Sequence, residues 1–171
     1  MKKVADIAFN IAQALNLGNR SSMVIFKASL HHDVGKFFWY NDLFTKPNKL
    51  LNEQDKYYIF RHPEYSIQYL QMNMPKYVYK EYSKGDISAI DLIFMHHEKP
   101  DGSGYYRIKD IPKESAIVSV SDIFSACFEY RPYRKSIPYN IAVKTALQDY
   151  TEVFTEKEVE TIKSVLKSYF S

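Results

Sequence analysis

Cysteine is almost missing from this chain, which carries one, Cys127, in 171 residues. A single thiol excludes an intramolecular disulfide framework and fits a reducing compartment. Glycine is scarce as well, five in all, and no low-complexity or Gly/Ser stretch is present, which argues against units strung on flexible tethers. Long apolar runs are absent. The helical pattern after Met1-Lys2-Lys3 is broken by Asp6, Asn10 and Gln13, so a cytoplasmic protein that neither inserts into nor crosses a membrane is expected. Charge of one sign does not dominate either. The balance of 23 basic against 20 acidic residues gives +3, too dispersed for a general nucleic-acid surface. Any phosphate recognition is left to local groups.

Aromatics are plentiful, with 15 tyrosines and 11 phenylalanines, and 46% of the residues are hydrophobic. That is enough apolar surface for one sizeable core, and residues 1–171 read as a single domain. Val4, Ile7, Ala8, Ile11, Ala12 and Leu15 recur at helical spacing, with Gly18 as the expected stop. A second helix through Val24, Ile25 and Ala28 leads into His31-His32-Asp33-Val34-Gly35-Lys36. Phe37 to Leu51 reads as a long connection. Asn52 caps a helix leading to Arg61-His62-Pro63, and Pro63 is placed at the opening of the next helix. Asp86 is the expected cap of a helix ending at His96-His97, and Glu98 to Pro112 is a loop. Helices are further expected over Lys113 to Tyr130, near Pro138 to Tyr150, and after Thr155, where Thr155-Glu156-Lys157-Glu158 has the capping-box form. No segment alternates like a strand, so the fold class is all-α.

All five histidines, 31, 32, 62, 96 and 97, fall at or near helix ends, and four form adjacent pairs. Taken singly, a histidine is more often a hydrogen-bonded core or surface residue. Their clustering, with Asp33 and Asp122 as carboxylates, points to divalent cations held by imidazole and carboxylate ligands from several elements. Adjacent residues on a helix point about 100° apart, which suits a site lying over helix ends or spanning two metals. His31 is the expected bystander. Asp122 is a lone charge in the small, apolar stretch Ser119 to Ala126.

The order His32-Asp33-Val34-Gly35-Lys36, His62-Pro63-Glu64, His96-His97-Glu98, Asp101-Gly102-Ser103-Gly104-Tyr105, Asp122-Ile123-Phe124-Ser125-Ala126 and Arg131-Pro132-Tyr133-Arg134 resembles the HD-GYP family of cyclic di-GMP phosphodiesterases, within the HD phosphohydrolase superfamily. The resemblance implies an HD-domain helical bundle with two iron or manganese ions. It implies His32, Asp33, His62, His96, His97 and Asp122 as ligands, with Asp33 bridging, and Asp33 and Lys36 as the catalytic pair. Lys36, Gly104, Tyr105, Arg131 and Arg134 would contact the nucleotide, and the loop Gly104 to Tyr106 would offer a docking point for a signalling protein. Two divalent ions would activate water and neutralise phosphate charge, with Lys36 adding a further positive charge. The implied activity is hydrolysis of cyclic di-GMP to the linear dinucleotide, and onward to GMP.

Two departures from the family pattern carry expectations of their own. Tyr106 stands where the name-giving Gly-Tyr-Pro motif has proline, so a less rigid loop is expected. The family's histidine on the first helix would fall at or before Met1, and nothing in Met1 to Ala14 replaces it. A weaker first metal position, and no trinuclear centre, is the expectation. The alternatives are an HD phosphohydrolase for another phosphoester, and a catalytically weak domain that senses the nucleotide or docks a partner.

Overall fold

A computed structural model describes residues 1–128 and 137–170, and among them every regular element is helical. The α-helices are α1 (Lys2–Ala14), α2 (Gly18–His31), α3 (Glu53–Asn73), α4 (Lys76–Tyr82), α5 (Ala89–Met95), α6 (Lys113–Phe128), α7 (Tyr139–Leu147) and α8 (Glu156–Lys167). None of these helices is long and apolar enough to cross a membrane.

The apolar stripe read from the sequence organises the bundle. Val4, Ile7, Ala8, Ile11 and Ala12 of α1 are buried, and this helix packs on α2, α6 and α8. Its small alanines let the helices approach closely. Ile7, Ile11, Ile25, Leu92, Ile93, Ile117, Phe124, Ile162 and Leu166 form a fully buried centre, each such side chain contributing about 1.5–3 kcal/mol by leaving water. Against this core, α5 lies between α2, α3 and α6, so the ends of α2 and α5 meet the middle of α3.

Several local expectations are corrected. The residue that turns the chain after α1 is Asn16, at φ 57°, and Gly18, at φ 80°, opens α2 instead of ending α1. Asn can adopt the left-handed conformation because its short amide bonds locally. Pro63 does not start a helix: α3 runs unbroken from Glu53 through it to Asn73. The cap of α5 is Ser88, whose side chain accepts from Asp91 N–H while Asp91 bonds back to Ser88 N–H. This reciprocal box displaces Asp86 as the start. The tyrosine-rich segment after Met74 forms the short helix α4 behind Pro75. The long connection is three 3-10 turns, Val34–Phe38, Asn41–Phe44 and Asn48–Leu50. Buried Asp55 anchors it by accepting from Lys46 Nζ at 2.5 Å and from the Tyr40 hydroxyl. Asn52 caps α3 as expected, with Asp55 completing a capping box, and the expected box at Thr155 forms.

Candidate metal centre

Helix ends supply the ligands, and the reason is local. The last carbonyls of a helix have no intrahelical donor. His32 closes α2 and His96 closes α5, and the Nδ1–H of each donates to such a carbonyl three residues back, Ser29 at 2.8 Å and Ile93 at 2.7 Å. His62 lies inside α3, where no carbonyl would ordinarily be available. Pro63 supplies one: lacking an N–H, it leaves the Ile59 carbonyl without its helical donor, and His62 Nδ1 donates there at 2.6 Å. A carbonyl only accepts, so all three rings carry the proton on Nδ1 and turn Nε2 into the cluster.

The inward atoms converge. His62 Nε2 lies 3.2 Å from His96 Nε2 and 3.2 Å from Asp33 Oδ1, and His96 Nε2 lies 4.0 Å from that oxygen. His32 Nε2 is 3.3 Å from Asp33 Oδ2 and 3.3 Å from Asp122 Oδ1. Potential ligand atoms of His62, His96 and His97 lie within 4.8 Å of one another, as do those of His32, Asp33 and His96. The two groups share His96, and Asp33 turns one oxygen toward His62 and the other toward His32. The histidines 32, 62 and 96 are about 1% exposed, whereas the side chains of Asp33 and Asp122 keep 18% and 24%. The site therefore opens on its carboxylate side.

These groups fit a divalent cation better than they fit one another. His32 Nε2 and Asp33 Oδ1 are buried with charged neighbours at 3.2–3.3 Å but no well-formed hydrogen bond to them. Two imidazole lone pairs facing each other at 3.2 Å repel unless a proton or a metal lies between them. Donors about 2.1 Å from one ion, at roughly tetrahedral angles, are themselves about 3.4 Å apart. Borderline imidazole with hard carboxylate accommodates iron, manganese and zinc.

Electrostatics sort the protons. Burial opposes charge on His32, but the carboxylates of Asp33 and Asp122 outweigh it and push its pKa up to about 10. His96 is pushed down to about 3 by burial, then by the neighbouring His32 and His62. Burial, followed by His96 and His62, also lowers His97 well below the usual value. Burial favours the neutral form of Asp33, yet His32 and His62 hold it well below the usual carboxylate range, and His32 likewise lowers Asp122. His96 and His97 are thus in the neutral, ligating form, and a cation entering beside His32 displaces a proton.

Residues around this cluster hold it in place. Ser66 of α3 donates its hydroxyl to the His32 carbonyl at 2.6 Å and accepts from Gly35 N–H at 2.8 Å. A Cβ at Gly35 would stand 2.2 Å from the His62 carbonyl oxygen, so glycine is what lets this turn rest on the α3 backbone. Ser119 of α6 donates to the His96 carbonyl at 2.6 Å, and Ser115 to the Met95 carbonyl at 3.0 Å. Lys36 Nζ lies 2.5 Å from Asp33 Oδ2 at the open side. His31 takes no part: its Nδ1 lies 3.1 Å from the Lys27 carbonyl and 3.2 Å from the Tyr82 hydroxyl.

The loop after α5 is built on a residue to which the sequence reading gave no role. Glu98 is fully buried, and its two carboxylate oxygens accept from Tyr106 N–H at 2.8 Å and Ile108 N–H at 2.7 Å. Tyr150 donates its hydroxyl to the Glu98 carbonyl. Gly104 packs so closely that a Cβ would fall 2.6 Å from Glu98 Cα, and Tyr105 is laid over His97, ring centroids 4.5 Å apart. Burial, then the charges of Asp33 and Asp122, push the Tyr105 phenol up to about 12. Tyr106, where a less rigid loop is expected, makes contacts of its own. Its N–H, which proline would lack, reaches Glu98, its hydroxyl donates to the Phe60 carbonyl at 3.1 Å, and its ring stacks on Phe94 at 4.3 Å. All six expected ligands and Lys36 are brought together, with Gly104 and Tyr105 alongside. Arg131 and Arg134 lie outside the described residues.

Comparison with known proteins identifies the family. A family model described as HD domain matches residues 1–153. The chain is 33% identical over 144 residues to the 3'3'-cGAMP-specific phosphodiesterase 1 of Vibrio cholerae, covering 81% of this chain and 30% of that protein. It is 29% identical over 139 residues to the cyclic di-GMP phosphodiesterase response regulator RpfG of Xanthomonas campestris pv. campestris, covering 80% and 34%. The chain thus spans about a third of the length of these curated relatives. The HD domain of the L. monocytogenes phosphodiesterase PgpH, solved with cyclic-di-AMP, superposes with a TM-score of 0.67 at 18% identity, over 99% of this chain and 87% of that one, and so shares the fold. The helical frame, the motif order and a family match running from Met1 into the segment before α8 make this chain a member of the HD domain family, of HD-GYP type.

Proposed function

We propose that this domain is a metal-dependent phosphodiesterase that hydrolyses cyclic di-GMP to the linear dinucleotide and then to GMP. The observation that carries the reading is the convergence of His32, Asp33, His62, His96, His97 and Asp122 beside Lys36, at a side of the cluster that the described residues leave open. Two divalent ions, iron or manganese, would be held by His62, His96 and His97 on one side and by His32 and Asp122 on the other, with Asp33 between. When bound, such ions supply Lewis-acid activation of water and neutralise charge on the non-bridging phosphate oxygens.

The chain's own residues set up the reaction around that chemistry. The buried histidines hold bulk water off their side of the cluster, which strengthens the charge interactions there. Lys36 directs its ammonium to the open face, where it offsets the charge that builds on phosphate during in-line displacement of the O3' leaving group. Tyr105 stays protonated and covers His97, walling the loop side of the site. Gly104 and Tyr105, with Arg131 and Arg134, are the proposed nucleotide contacts.

A chromatographic assay of cyclic di-GMP, cyclic GMP-AMP and cyclic di-AMP against manganese or ferrous iron concentration tests the reading, with Asp33→Ala as the blank. Metal-dependent release of linear dinucleotide above that blank is expected. Lys36→Ala is expected to keep its metal and lose turnover by about 100-fold, as for removal of a transition-state charge partner. No turnover at saturating metal, with the nucleotide still bound, would replace catalysis by nucleotide sensing.

A further inference from the structure

Beyond the metal cluster, the turn that carries Asp33 and Lys36 continues into Phe37-Phe38-Trp39-Tyr40, an aromatic run at the rim of the site. Phe44, against Trp39, is 54% exposed, and Trp39 itself is half-buried. An aromatic pair left partly in water beside an open polar site offers a face to a flat apolar ligand surface. In a 3-10 turn, side chains three apart eclipse one another. Asp33 precedes the turn Val34–Phe38 and Trp39 ends it, so Asp33, Lys36 and Trp39 form one row. The contacts agree: Lys36 Nζ is 2.5 Å from Asp33 Oδ2 and 5.4 Å from the Trp39 ring centroid. Trp39 also stands edge-on to His62 at 6.0 Å and beside Phe44 at 5.3 Å. Its indole is held in place by donating Nε1–H to the Tyr58 carbonyl at 3.2 Å.

We propose that Trp39, with Phe44 beside it, is the stacking face for one purine base of the substrate. This rests on the phosphodiesterase reading above and names how that site would recognise its nucleotide. A phosphate drawn to Lys36 carries its base one sugar further along the same row, and the next group in that row is the indole, with Phe44 beside it. The indole is already fixed, so stacking orders little that was free. Every base has a π-face, so this contact serves affinity and leaves the choice among purines to other groups.

Trp39 is the chain's single tryptophan, so its emission reports the contact directly. Metal-loaded protein is titrated with GMP and, as the base-free control, with ribose 5-phosphate. GMP is expected to quench saturably and ribose 5-phosphate to leave the emission unchanged. Phe44→Ala should weaken the GMP midpoint several-fold, and Trp39→Leu should raise KM for the cyclic dinucleotide about tenfold, with Trp39→Phe recovering most of it. Equal responses to the two ligands, or an unchanged KM in a folded Trp39→Leu protein, overturn the proposal. Turnover with emission silent to GMP sinks the stacking face and leaves the phosphodiesterase standing. Quenching by GMP without turnover of any cyclic dinucleotide does the reverse.

Discussion

At the scale of single residues, the site is a matter of which ring nitrogen faces inward. His97→Ala is expected to reduce bound metal markedly and His31→Ala to leave it unchanged, as read by metal analysis of protein purified without chelator. His31 bonds to Lys27 and Tyr82, away from the convergent atoms. Pro63 gives a sharper test, because its two effects have opposite signs. Pro63→Ala returns an N–H that competes with His62 Nδ1 for the Ile59 carbonyl. Metal affinity should fall about tenfold, as for loss of an outer-shell partner. The melting temperature of the chelated protein should rise, since proline inside a helix costs about 3 kcal/mol. A joint fall of both would mean that Pro63 serves packing alone. The sequence reading placed Pro63 at a helix start because that is where proline is commonest. Its use inside α3 depends on a carbonyl partner that spacing does not reveal.

At the scale of elements, small side chains from one helix catch the exposed carbonyl ends of another. Ser119→Ala leaves the His96 carbonyl without that donor, and a loss of about 1–3 kcal/mol in stability is expected from chemical denaturation; a loss within error would show that water substitutes. The end of the bundle offers a pH test. Glu158 caps α8 and accepts from Lys113 Nζ at 2.6 Å, and that bond, against a smaller opposing effect of burial, lowers its pKa below 4.5. A carboxylate depressed on folding stabilises above its unfolded pKa and loses that contribution as pH falls through the folded value. Glu158→Gln should therefore flatten the stability profile below about pH 4.5, measured as midpoint against pH; an unchanged slope would remove Glu158 from the acid response. The cap at Asn52 and the capping box at Thr155 were legible because capping is local, the box closing between residues three apart. Ser88 competed with Asp86 within the same few residues, and composition alone does not rank two good caps. Glu98 was hidden for another reason: its acceptors are used by Tyr106 and Ile108, eight and ten residues on. The gathering of histidines and carboxylates was readable because histidine pairs at helix ends are rare enough to need a cause; which of them would ligate an ion is what the family resemblance implies.

At the scale of the whole molecule, two helices, α2 and α5, end on the cluster, and helix C-termini carry partial negative charge. Asp33 and Asp122 face the same space. The backbone and the carboxylates together attract a divalent cation and repel a phosphate anion, with Lys36 as the opposing charge at the mouth. On the proposed phosphodiesterase reading, this favours an order of arrival: metal first, nucleotide second. GMP affinity measured calorimetrically should then be at least about tenfold weaker in chelator than with saturating manganese, and equal affinities would refute the ordering. Supply of metal, rather than of nucleotide, would then act as the switch on this domain's output, since without the ion about tenfold more nucleotide is needed for the same occupancy.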